Sequence, residues 1–274
     1  MNYYCLIAGF PDLQLDNAKS APSLENLFEE LDCTLSNDDK QLLQLLRMRY
    51  DNENLIAYLS DKEATLNVLG KITAEEWKEL INIMDEVDNP RDPRLLPYLV
   101  DFYTAITDEK ISSSISSQED YLATCYYDYG AQCKNAFVSE WFELNLNINN
   151  VLAAVACRNH GFDVKTAIVG SNEIAETIRN SSARDFGLTG IFEHLEAVMS
   201  ISEEKNLLER EKKLDAFKWA WLEERTFFNY FTVERVLSFY LRCELLHRWD
   251  NLTMEQGQEV FRNLLNELKK DVKL

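Results

Sequence analysis

The chain has 274 residues, 46% of them apolar and 27% charged, and 47 acidic against 28 basic side chains leave a formal net charge of -19. That length can bury a substantial core in one large domain or two smaller ones, and the composition excludes a disordered chain. The acidity excludes a nucleic-acid partner, which needs clustered Lys and Arg to release counterions, and opposes direct adsorption to an anionic membrane surface.

No run approaches the ~18 consecutive apolar residues of a membrane span. The opening Met1-Asn2-Tyr3-Tyr4-Cys5-Leu6-Ile7-Ala8-Gly9 has no positively charged lead and meets Pro11-Asp12 too early for a secretory signal. A cytoplasmic location without membrane insertion is therefore expected. Six cysteines, at 5, 33, 125, 133, 157 and 243, show no Cys-x-x-Cys and irregular spacing, so they read as small buried hydrophobes rather than a disulfide framework.

In chain order, the first dozen residues admit one short strand ending at Gly9-Phe10-Pro11-Asp12. Ser36-x-x-Asp39 opens a helix that carries Leu42, Leu43, Leu45 and Leu46 into the Asp51 region. Thr73-x-x-Glu76 has the form of a capping box, in which the Thr hydroxyl accepts the third amide and the Glu reaches back. The helix it opens bears Trp77, Leu80, Ile81 and Met84 on one stripe and stops before Asn89-Pro90. Pro97 suits a first helical turn, followed by Leu99, Phe102, Tyr103 and Ile106. The Ser-rich tract 112–117 reads as a linker, dividing an N-terminal helical part (1–111) from a C-terminal long-helix part (118–274).

All five prolines lie at or before Pro97, so the remainder is poor in helix breakers. One long helix is expected from Gln118 to Arg158, with a break near Gly130, ending before His160-Gly161. Shorter helices are expected near 172–183 and 190–201. From Glu203 an amphipathic helix sets Leu207, Leu214, Phe217 and Trp221 on one side. The aromatic run Phe227-Phe228-Asn229-Tyr230-Phe231 follows, and then a helix bearing Val236, Leu237, Tyr240, Leu241, Leu245 and Trp249. Thr253-x-x-Gln256 caps a last helix with Val260, Phe261, Leu264, Leu265 and Leu268 inward. The fold class is all-α, a multi-helix bundle.

An internal echo suggests repeated helical units. Asp51-Asn52-Glu53-Asn54-Leu55-Ile56-Ala57 resembles Asn147-Ile148-Asn149-Asn150-Val151-Leu152-Ala153, and Phe231-Thr232-Val233-Glu234-Arg235-Val236-Leu237 is a weaker third copy.

Signatures of phosphate-binding loops, dinucleotide folds, zinc proteases and hydrolase nucleophile elbows are absent. Cys157-x-x-His160 with Cys243-x-x-x-His247 has the donor types for tetrahedral zinc, but each pair sits in an apolar helical run where buried cysteine is ordinary. Glu193-His194-x-Glu196 has no nucleophile nearby and reads as a solvated helix face. No catalytic residue, cofactor or metal site is expected. The aromatic density differs: residues 217–249 hold ten aromatics, and Trp219 and Trp221 point about 200° apart on one helix. With Trp221 assigned inward, Trp219 faces outward, and Trp219, Phe227, Phe228 and Tyr230 are the candidate partner-binding residues, because Trp and Tyr anchors dominate protein interfaces.

The opening thirteen residues, Met1 to Leu13, resemble those of a family of bacterial proteins, chiefly from Bacteroidetes, whose genes typically sit among those for a V/A-type (vacuolar/archaeal-type) ATPase. A weaker resemblance, to the C subunit of that ATPase (the d subunit in eukaryotes), rests on Asn149-Asn150-Val151-Leu152-Ala153-Ala154-Val155-Ala156-Cys157-Arg158 and on Phe231-Thr232-Val233-Glu234-Arg235-Val236-Leu237. The C subunit is all-helical, built from three related helical units, and sits on the cytoplasmic face of the membrane rotor ring, receiving the foot of the central shaft. The resemblance thus implies a non-catalytic coupling protein, peripheral to the membrane through the shaft and ring subunits. This chain departs from the C subunit in being shorter and in its Tyr-Tyr-Cys opening. Two alternatives stand beside it, a transient assembly factor for the same ATPase and a Cys/His metal-dependent enzyme.

Overall fold

A computed structural model describes residues 2–87, 90–112 and 114–250. Twelve α-helices occur among them: α1 (Tyr4–Gly9), α2 (Leu24–Thr34), α3 (Asn37–Ser60), α4 (Ala74–Glu86), α5 (Pro97–Thr107), α6 (Ile115–Ala131), α7 (Ala136–His160), α8 (Val164–Ala167), α9 (Glu173–Asn180), α10 (Leu195–Ser202), α11 (Leu207–Arg225) and α12 (Val233–Asp250). A 3₁₀ turn covers Ala18–Ser20. The only bridge among the described residues is the isolated antiparallel pair Gln14 and Asn17, so the class is all-α. The helix expected after Thr253 lies outside the described residues.

Helix starts follow the local chemistry. Ser36 Oγ accepts the Asp39 amide at 3.3 Å and donates to the Asp39 carboxylate at 2.7 Å. Thr73 and Glu76 form the complete capping box. Pro97 occupies the first turn of α5, where no amide donor is missed. The expected break between the two long helices falls just after Gly130, where Asn135 accepts the Val138 amide and restarts the chain as α7. Gly161, with φ of 72°, ends α7 in the left-handed conformation that glycine adopts without steric cost.

The N-terminal strand is corrected to helix α1. Its inward positions, Tyr3 and Leu6, are three apart, and Phe10 follows four later to stack on Phe239 at 3.9 Å. That is the 3–4 spacing of a helix face rather than the alternation of a strand.

The chain forms two compact units, one from the segment up to Lys40 with that from Lys212 onward, the other from Gln41 to Glu211. The Ser-rich tract 112–117 lies inside the second unit, where Ser114 caps α6 by accepting the Ser117 amide. In the first unit α12 is buried on nearly every side: Val236, Leu237, Ser238, Tyr240, Cys243 and Leu246 have no exposed surface. Phe28 of α2 meets Tyr240 at 5.5 Å. In the second unit Trp77, Leu80, Leu99 and Phe102 are wholly buried at the centre of one cluster with Met48, Leu55 and Tyr98.

The echo has a structural counterpart within the second unit. Asn54 of α3 accepts the Asn67 amide at 2.6 Å and donates to the Asn67 carbonyl at 3.0 Å. Asn150 of α7 does the same to Val169, accepting at 3.0 Å and donating at 2.7 Å. Each asparagine thus clamps the backbone N–H and C=O of one residue in the following loop. Three residues earlier, Asp51 accepts the amides of Lys71 and Ile72, just before the cap of α4, and Asn147 accepts from Asn172, the cap of α9. Two helix–loop–helix units therefore share one arrangement. In the weaker third copy Phe231 precedes α12 and Glu234 bonds to Thr232 and Asn229, while the segment that follows α12 lies outside the described residues.

Asp51 is 1% exposed, and burial raises its carboxyl above the ordinary value despite the two amides it accepts. A carboxyl that holds its proton more tightly when folded favours folding at low pH, and that contribution is lost as pH rises through the raised folded value. Asp51→Asn keeps an oxygen for the two amides and removes the ionisation. Its stability relative to the parent is expected to improve as pH rises above ~4, the unfolded carboxyl value. Denaturant unfolding at a series of pH values tests this; a difference independent of pH would refute it.

Candidate functional site

At the end of α11 the chain must reverse into α12, and two small buried hydroxyls hold it there. Thr226 and Ser238, at 1% and 0% exposure, both donate to the Leu222 carbonyl, at 2.7 and 3.3 Å. The Asn229 amide closes on the Thr226 carbonyl at 3.0 Å, and the Asn229 side chain reaches the Thr232 hydroxyl at 3.3 Å. These polar contacts close the reversal. The aromatic side chains between them are left outside.

Phe227 is 64% exposed, Phe228 79%, Tyr230 62% and Phe231 38%. Phe227 and Phe228 meet edge to face at 4.9 Å, and Tyr230 lies 6.5 Å from Phe231. The amino-terminal segment extends the surface. The Tyr3 amide donates to the Phe231 carbonyl at 2.7 Å, and the Tyr4 ring, 52% exposed, sits 4.4 Å from that of Phe231. Of the thirteen large hydrophobic side chains exposed among the described residues, five are gathered here, while Val68, Ile115 and Phe162 stand apart in sequence. A scattered exposed hydrophobe is ordinary, whereas a contiguous group marks a contact surface.

Three of the four expected partner-binding residues, Phe227, Phe228 and Tyr230, are thus exposed on this one reversal of the chain. The fourth is corrected. Trp219 is only 7% exposed, with the Arg242 guanidinium 5.1 Å over its ring, while Trp221 is half-buried. The expected inward stripe is rotated: Leu207 is 62% exposed, and the buried positions are Leu214, Asp215, Trp219 and Leu222. The cause is Asp215. Its carboxylate accepts the Trp249 indole N–H at 2.8 Å and lies 3.1 Å from Arg248, so a charged residue occupies the inner face. A helix phased on apolar residues alone turns the wrong side in.

Phe231 was visible in the aromatic run, but Tyr4 was not, since nothing local ties residue 4 to residue 231. Elsewhere, Cys157 and Cys243 are buried, and burial pushes the Cys243 thiol up to about 12. Among the described residues no three His, Cys, Asp or Glu side chains converge as metal ligands. His194 precedes α10 with its ring edge-on to Phe192 at 5.8 Å. No helix among the described residues is long and apolar enough to cross a membrane.

The model of a family described as "Protein of unknown function (DUF2764)" matches residues 1–272, and the chain belongs to that family. No curated protein and no solved structure matches it.

Proposed function

We propose that this DUF2764 family member is a non-catalytic helical part of a V/A-type ATPase, coupling the central shaft to the membrane rotor ring, and that its exposed aromatic surface is a docking site on the shaft or the ring. The observation that carries the docking is the group of exposed aromatic side chains Tyr4, Phe227, Phe228, Tyr230 and Phe231 at a turn closed by the Thr226 hydroxyl and the Asn229 amide. The connection to the ATPase rests on the sequence resemblance. The doubled asparagine clamp supports it further, because a protein built from related helical units would carry such an arrangement more than once.

A coupling part must transmit torque without yielding, and close packing resists deformation. The buried α12 and the clamped loops suit that task. The net charge of -19 disfavours contact with anionic lipid, leaving attachment to protein partners.

The test is a Phe228→Ser, Tyr230→Ser double variant, compared with the parent for melting temperature and for co-purification with shaft and ring proteins from gently solubilised membranes. Both side chains are mostly exposed, so the melting temperature should hardly move. Each interface anchor contributes on the order of 2 kcal/mol or more to association, so recovery in the complex should fall at least about tenfold. Undiminished recovery would remove the docking role from this surface. A parent protein found only with incomplete assemblies would favour a transient assembly factor instead.

A further inference from the structure

Helices α5 and α6 pack side by side within the second unit, and with the end of α4 they enclose a cleft of about 1020 Å³. From α6 it is lined by Tyr121, Cys125, Asp128 and Tyr129, which share one helical face; from α5 by Val100, Asp101 and Thr104. The volume suits a small organic molecule, and the lining sets the rings of Tyr98, Tyr121 and Tyr129 among several polar side chains.

Two carboxylates face this cleft, one from each helix. Asp128 is oriented by Ser171, whose amide and hydroxyl donate to its two oxygens at 3.2 and 2.7 Å. Asp101 has no ion-pair or hydrogen-bond partner among the described residues. Lys110 is the one cation in the lining, and its ammonium is held 2.8 Å from Asp108, outside the lining. The negative field is felt inside: the Cys125 thiol is pushed up to about 11, first by burial and then by Asp101 and Asp128. With the Lys110 ammonium paired to Asp108, the two carboxylates disfavour an anion. A cation with a hydrophobic body is matched twice, by the carboxylates and by the electron-rich ring faces of Tyr121 and Tyr129.

We propose that this cleft binds a small organic ammonium ion, its charge taken by Asp101 and Asp128 and its body by the tyrosine rings. The site shares no residue with the aromatic docking surface and does not depend on it.

Phenethylamine is a suitable probe, with phenylacetate as the anion of the same body. Calorimetric titration of the full chain should show saturable phenethylamine binding that weakens with added salt, and none of phenylacetate. Asp101→Asn, at an exposed position, should leave the melting temperature unchanged and weaken phenethylamine about threefold or more, since a charge-assisted contact is lost. Asp128→Asn should weaken it similarly, and bound phenethylamine should slow alkylation of Cys125 in the parent. Equal binding of the two probes, no binding of either, or unchanged affinity in a folded Asp101→Asn variant would each overturn the proposal.

Discussion

Trp219→Ala should lower the folding free energy by ~3–5 kcal/mol, the loss expected when a large buried aromatic leaves a cavity, and Trp221→Ala should cost well under half of that. Trp219 is 7% exposed and lies beneath the Arg242 guanidinium, which also reaches Glu223 at 3.2 Å. Truncation therefore removes packing and uncovers a buried cation. Burial already holds the Arg242 guanidinium below its ordinary value, so a further loss of compensating contacts falls on a group poorly placed to regain water. Trp221 keeps part of its surface in solvent, and its loss opens a smaller void. Paired denaturant melts measure both. A larger loss at Trp221 than at Trp219 would show that α11 is turned the other way.

Asn54→Ala and Asn150→Ala should each cost about 2–4 kcal/mol, because each strips one backbone N–H and one carbonyl of their partners in a part-buried loop, at roughly 1–3 kcal/mol per unsatisfied group. Asn54 is 2% exposed and Asn150 1%, so water cannot readily replace them. Similar losses at the two positions would show that the clamps do the same work. Gly70→Ala is an independent probe of the first: a Cβ there would come within 2.2 Å of the Asn54 Nδ2. It should displace the Asn54 amide, so Gly70→Ala combined with Asn54→Ala should cost less than the sum of the two. Additive losses would mean that the glycine is needed for some other reason. Losses under about 0.5 kcal/mol at both asparagines would remove the clamp from the forces that hold these units together.

The two results bear on function through stiffness and placement. The aromatic surface can present five side chains to a partner only while the α11–α12 reversal keeps its shape. That shape depends on Thr226 and Ser238 at the Leu222 carbonyl and on the α11 face that carries Trp219. Variants of the buried face should thus weaken co-purification in proportion to lost stability, whereas variants of Phe228 and Tyr230 should do so without it.

Much of the helical outline was legible from residues close together in the chain. The capping residues at Ser36 and Thr73, Pro97 in a first turn and Gly161 after a long helix each act within one turn of their own position, so spacing alone reveals them. The exposed run from Phe227 to Phe231 was legible for the same reason, as more aromatic surface than one helix can turn inward. The likeness of residues 51–57 to 147–153 was also visible, though what the shared asparagines do was not.

What folding alone decided involves partners far apart in the chain. Asp215 faces inward because Trp249 and Arg248 meet it, 34 and 33 positions later, and that reversal carried Trp219 into the core. Tyr4 joins the aromatic surface because the Tyr3 amide finds the carbonyl of Phe231. Asn54 and Asn150 hold peptides 13 and 19 residues onward, in loops with no local mark of their attachment. A helix cap is satisfied by its own neighbours, but a buried polar group is tolerable only where the fold delivers its partner, and periodicity carries no record of that delivery.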